Sequence, residues 1–188
     1  IENLIGETYM ARALCFKWRD TIGRARPEPV PRGVDYDQWT GPAPLRPFTR
    51  NRFHYNWHWF WDYGSGDIGN QAPHQLDLWQ WICGVPRTVF SKLGYGVNRD
   101  IAVENEVNAM VDYGDGVTGS FVTCTYDIAG TDRLEILGDA GKIVVEDSKR
   151  AIITRLRKPE QELSAGMDMN DVMRLFTGKV DLNTLYTQ

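Results

Sequence analysis

The sequence predicts an α+β fold: an open, predominantly antiparallel β-sheet, with one helix and a long ordered loop packed on one face. Three observations carry this. Seven segments read as strands, at 7–19, 87–97, 103–113, 117–126, 132–138, 142–146 and 150–156. One segment, 71–83, repeats apolar residues at the helical spacings of three and four. The tight turns YGDG (113–116) and DAG (139–141) join strands as hairpins, with no βαβ pattern between them.

Length and composition fit one domain over 1–188, with a proline- and aromatic-rich excursion at 23–63 and a weakly patterned tail at 158–188. Hydrophobic residues are 42% and charged residues 24% of the chain, which excludes disorder over its whole length. The formal charge of −4 argues against a general nucleic-acid binder, which needs a basic face. Cys15, Cys83 and Cys124 are too scattered for a disulfide framework or a zinc site and read as small buried hydrophobes. No apolar run approaches the roughly 18 residues of a membrane span. The chain begins with Ile and reads as cut from something longer, so its compartment, cytoplasmic or exported, is left open.

Taken in order, IENL before Gly6 reads as the last turn of a helix with a glycine stop. ETYMARALCFKWR, 7–19, alternates as a strand whose two faces both meet other groups. Residues 23–53 hold six of the nine prolines, together with Arg, Trp and Tyr that a flexible linker would not need. That stretch is expected to be an ordered loop, and loops of this length are often functional. FHYNWHWFWDY, 53–63, carries three of seven tryptophans and two of three histidines; if it is extended, His54 and His58 face one way. GSGDIGN then reads as a glycine turn feeding the helix, with Asn70 or Gln71 as cap, Pro73 in the first turn and Gly84 as the stop. The last three or four strands form a meander, and DVMRLF, 171–176, suggests a short helix.

The chemistry concentrates around that helix. Asn70, His74 and Asp77 share one helical face, which Trp81 continues. An imidazole titrates near neutral pH and can handle a hydroxyl proton, with Asp77 to orient it if geometry allows; the plainer alternative is a capped helix with a satisfied histidine. His54 and His58 with His74 and Asp77 lack a known ligand spacing, so no metal is assigned. The aromatic segment either packs a core or lines a sugar-like ligand. Lys17, Arg19, Arg50 and Arg52 form either a cationic rim or a solvated surface. GSGDIG has the G-x-G-x-x-G spacing, but it follows an aromatic segment rather than a parallel strand, so no cofactor-binding residue is assigned in this chain.

The run GSGDIGNQAPHQLDLWQWICG resembles the signature helix in the second domain of the Gfo/Idh/MocA oxidoreductases, whose usual pattern is G-G-G-x-L-x-D-x-G-x-H-x-x-D. Gly64, Gly66, Ile68, His74 and Asp77 match it in order. The segment VDYDQWTGPAPLRPFTRNRFHYNWHWFWDYG looks like a bacterial subgroup with an aromatic-rich insertion, and IGETYMARA looks like the family's first sheet strand. The resemblance covers about 1–147 well and the tail poorly.

What the resemblance implies is a two-domain parent enzyme. NAD or NADP, with a catalytic lysine, belongs to an N-terminal Rossmann domain that this chain lacks, so the chain alone is expected to be inactive. The parent is expected to oxidise or reduce a sugar, polyol or related hydroxyl compound. Two alternatives stay open: an NAD-dependent glycoside hydrolase, and a non-catalytic carbohydrate-binding or dimerising module. By position, His74 is the catalytic or substrate-binding histidine, and Asn70 stands where many members have aspartate. An amide orients a hydroxyl but is no base at neutral pH; Asp67, one turn earlier, is a loose substitute. Lys17, Arg52, Tyr55, Trp57, His58, Asp67 and Asp77 complete the expected substrate-binding set. The family also implies a homo-oligomer through the open sheet face, with no nucleic-acid or membrane partner.

Overall fold

The computed structural model describes residues 4–168, 170, 171, 186 and 187. Its strands are β1 (Thr8–Phe16), β2 (Thr88–Tyr95), β3 (Glu104–Gly114), β4 (Val117–Cys124), β5 (Thr131–Gly138), β6 (Gly141–Glu146), β7 (Arg150–Leu156) and the two-residue β8 (Tyr186–Thr187). They make one sheet in the order β2-β3-β4-β1-β5-β6-β7-β8. Every neighbouring pair is antiparallel except β1 and β4, which run parallel, with Ala13 opposite Phe121. Hairpins join β2 to β3 to β4 and β5 to β6 to β7, and the turns YGDG and DAG predict those between β3 and β4 and between β5 and β6. The place of β1 between these two meanders was not anticipated; its parallel partner arrives only after the excursion, the helices and two further strands.

The core lies between the sheet and helix α3 (Ala72–Cys83), for which the apolar spacing predicted 71–83. Ala11, Ala13 and Cys15 alternate on the inner face of β1 and are fully buried. Small residues there let the helix approach. Trp79 of α3 is 1% exposed and meets Phe121 edge-on, with ring centroids 6.4 Å apart. Gly119 makes room for that indole: a Cβ there would stand 3.2 Å from the ring. Leu76, Ile82 and Cys83 pack at the margin of the same cluster. The opposite sheet face is open, with Phe90 75% and Met110 68% exposed.

The excursion is ordered but not wholly irregular. Asp35 caps a one-turn helix, α1 (Tyr36–Thr40), by accepting from the Gln38 backbone N–H at 3.0 Å. Phe48, Phe53 and Tyr63 gather around Tyr36 and Trp39 with ring centroids 5.3–5.6 Å apart. Residues 53–63 are not extended: they turn into a 3₁₀ helix, Asn56–Trp59. His54 and His58 therefore do not share a face; His54 is exposed and His58 buried. Within GSGDIGN, residues 66–70 form a short helix, α2 (Gly66–Asn70), rather than a bare turn, and the 3₁₀ helix packs against it. Asn70 ends α2, and Gln71 stands at the N-cap of α3 without a capping side-chain bond. Leu4–Gly6 form a turn, and the helical end expected for IENL rests otherwise on residues outside those described. The tail adds α4 (Glu160–Ser164), while DVMRLF lies outside the described residues apart from Asp171.

Candidate functional site

The chemistry-bearing side chains meet where α2 hands over to α3, above the end of the sheet formed by the C-termini of β1 and β4. Beneath the junction is a floor of buried polar groups. Thr123 is fully buried, and its hydroxyl lies 2.7 Å from the Cys15 carbonyl and in hydrogen-bond contact with Asp67. A hydroxyl has one hydrogen, and a carbonyl only accepts. The single Thr123 hydrogen therefore serves either the Cys15 carbonyl or the Asp67 carboxyl. Burial pushes the Asp67 carboxyl above its usual value. Glu104, 1% exposed, accepts from the Ile68 backbone N–H at 2.8 Å, and burial raises its carboxyl too.

The glycines of the loop serve this packing. Gly66 has φ +69° and lies against the Glu104 carboxylate, where a Cβ would overlap it. A Cβ on Gly64 would stand 2.5 Å from the His58 Cα. Within this loop the Ile68 backbone N–H is already taken by Glu104. Two further bonds tie the junction to the sheet. Lys17 Nζ donates to Gln71 Oε1 at 2.9 Å, and Gln75 Nε2 donates to Asp132 Oδ1 at 3.2 Å.

Above this floor, His74 and Asp77 lie on the exposed face of α3, with Trp81 80% exposed one turn on. Among the described residues no hydrogen bond engages the His74 imidazole, and none joins it to Asp77. Asn70 Nδ2 is buried without an acceptor, at the end of α2 beside that face. A buried amide donor without a partner costs about 1–3 kcal/mol.

The other expected residues are dispersed. Asp67 faces the sheet, away from the His74 face. Tyr55 and Trp57 are 62% and 42% exposed on the excursion. His58 is enclosed by the rings of Tyr55, Trp57 and Trp59, and burial pushes its imidazole below the usual value. Arg52 sits inside the excursion: its Nη1 donates to the hydroxyls of Tyr36 at 2.9 Å and Tyr63 at 3.3 Å. Arg50 pairs with Glu28 at 2.8 Å. Three contributors escaped sequence reading. Glu104 and Thr123 carried a signal, as polar residues at inward positions of apolar strands. Arg99 carried none; it is 4% exposed, with its guanidinium 4.1 Å over the Trp59 ring. Among the described residues no three metal-ligating side chains cluster, and no helix is long and apolar enough to cross a membrane.

A profile of the GFO/IDH/MocA C-terminal domain matches residues 34–144, more than half of the chain. Among solved structures, the chain is similar to the WlbA dehydrogenase from Bordetella pertussis in complex with NADH and UDP-GlcNAcA. That match has 18% identity and a TM-score of 0.59, over 96% of this chain and 48% of the other. The WlbA dehydrogenase from Chromobacterium violaceum, in complex with the same two ligands, has 20% identity and a TM-score of 0.57, over 95% and 47%. Levoglucosan dehydrogenase in complex with NADH and levoglucosan has 20% identity and a TM-score of 0.57, over 82% and 37%. This chain thus spans about half the length of the first of these or less. No curated protein matches it.

Proposed function

The chain belongs to the Gfo/Idh/MocA family as a C-terminal domain, and from that premise we propose that it forms the substrate-binding half of an NAD(P)-dependent oxidoreductase acting on a sugar or polyol hydroxyl. The observation that carries this is the exposed His74 imidazole in the first turn of α3, free of hydrogen bonds among the described residues, with Asn70 ending α2 just before it. His74 holds or moves the proton of a substrate hydroxyl, and the Asn70 amide orients a neighbouring one. Lys17, held by Gln71, and Asp77 border that face. Asp67, Thr123 and Glu104 fix α2 from below and thereby fix Asn70. The nicotinamide, carried by a domain outside this chain, supplies hydride exchange. Two proteins similar in fold were solved with NADH and a sugar derivative or anhydrosugar, which supports the sugar reading.

The test is turnover by the full-length gene product with NAD or NADP over a panel of aldoses and polyols. His74→Gln should lower kcat by roughly 10²–10⁴-fold with an unchanged melting temperature, because His74 has no packing role. Full activity in His74→Gln would sink the assignment. The open sheet face is proposed to meet a second copy. Met110→Glu should then shift the full-length protein to a smaller species by light scattering, and an unchanged mass would remove that face from the interface.

A further inference from the structure

A second cleft lies in the excursion, apart from the α2–α3 junction. It has a volume of about 500 Å³ and is walled by Trp39, Trp57, Tyr63 and the 42–44 segment, with Thr40 and Asp62 also on its surface. That volume falls within the range of about 300–1,000 Å³ for small-molecule sites. Its rings are held by partners that do not line the cleft. Trp39 stacks on Tyr36 at 5.4 Å and meets Phe53 at 5.4 Å, and Trp57 meets His58 edge-on at 5.4 Å. The aromatic walls are therefore preorganised rather than recruited.

The polar groups have a definite sense. Both oxygens of Asp62 are gripped by Arg46, from Nε at 2.8 Å and from Nη2 at 3.2 Å. That grip keeps the carboxyl below its usual value, so it is an acceptor. The Tyr63 hydroxyl spends its hydrogen on the Pro44 carbonyl at 3.1 Å. The cleft thus offers flat apolar faces and a fixed carboxylate acceptor.

We infer that this cleft is a saccharide subsite, in which a pyranose ring lays its C–H face on an indole and directs hydroxyl hydrogens to Asp62. A pyranose presents both surfaces at once: an apolar face and a rim of donors. A proline-rich peptide fits the rings equally well but presents carbonyl oxygens, which a carboxylate repels. The cleft is lined by residues other than His74, so its ligand does not rest on the sugar reading of the junction.

The experiment is saturation-transfer NMR on the full-length gene product, without nucleotide, using glucose, maltose, cellobiose and a proline decapeptide as probes. Saturable binding of at least one sugar is expected, with the disaccharides tighter than glucose. Trp57→Ala and Asp62→Asn should each weaken it by tenfold or more. Three results overturn the subsite: no saturable binding of any sugar, binding indifferent to both cleft substitutions, or binding of the peptide alone. Sugar binding lost in His74→Gln but kept in the cleft variants would overturn the cleft while supporting the junction. Cleft binding without turnover on any sugar would do the reverse.

Discussion

The molecule has two cores built by opposite means. Between sheet and α3, aliphatic residues with Trp79 and Phe121 fill the space, and the backbone hydrogen bonds are satisfied by ladders and helix. In the excursion, six prolines remove backbone donors, and rings gather around a guanidinium instead. Arg52 is 9% exposed, bonds two tyrosine hydroxyls and lies 5.3 Å from the Phe60 ring centroid and 5.2 Å from that of Tyr63. The difference teaches that apolar burial suffices where backbone pairing is regular. Where pairing is sparse, a charged group with directional bonds sets the geometry.

Three substitutions break or sharpen this contrast. Trp79→Ala should cost the most, about 3–5 kcal/mol, because it leaves a cavity over Gly119 and Phe121. It should lower the urea midpoint of the whole domain. Arg52→Lys keeps the charge but loses the planar fork, and should cost about 1.5–3 kcal/mol. Its signature should be faster proteolysis within 23–63 with a smaller change in the main unfolding transition. Equal shifts in the main transition for both variants would mean the two cores unfold as one, and the contrast would fail.

Asp67→Asn should show the smallest effect and the most specific. The Asp67 carboxyl is raised above its unfolded value of about 3.8, so the native state holds its proton more tightly than the unfolded chain does. Stability from this group is complete below the unfolded value and is lost as pH rises through the raised folded one. The amide keeps a hydrogen-bonding group against Thr123 without titrating. Asp67→Asn should therefore flatten part of the decline in urea midpoint between acid and neutral pH, leaving Glu104 to contribute the remainder. A decline as steep as that of the unsubstituted protein would show that the Asp67 carboxyl does not carry this pH dependence.

Much of the fold was legible because its signals are local. Ala11, Ala13 and Cys15 alternate, 71–83 keeps helical spacing, and YGDG and DAG mark hairpins. The parallel pairing of β1 with β4 was hidden, since nothing local specifies a partner so distant. Helix α2 was hidden for another reason: three glycines with Ser, Asp and Asn read as a turn, and distant groups hold it as a helix, with Glu104 on Gly66 and Ile68, His58 against Gly64 and Thr123 on Asp67. FHYNWHWFWDY suits a strand by composition; its burial beside α2 and Arg99 makes it a 3₁₀ turn. At the site, the exposed His74–Asp77 face of α3 was readable from spacing, whereas Asn70 ends the separate helix α2. The floor beneath it was not, because each of its bonds joins residues more than 30 positions apart.

The central position of β1 has a kinetic consequence. Cys15 and Thr123, neighbours across β1 and β4, are separated by 108 residues. Until that distance closes, each meander is a sheet with a bare edge: β4 on one, β5 on the other. The order of synthesis makes the keystone strand first and its slot last, so the chain must carry an unpaired Ala- and Cys-lined strand through most of its assembly. Long-range closure of this kind slows folding, and exposed edges invite the wrong partners.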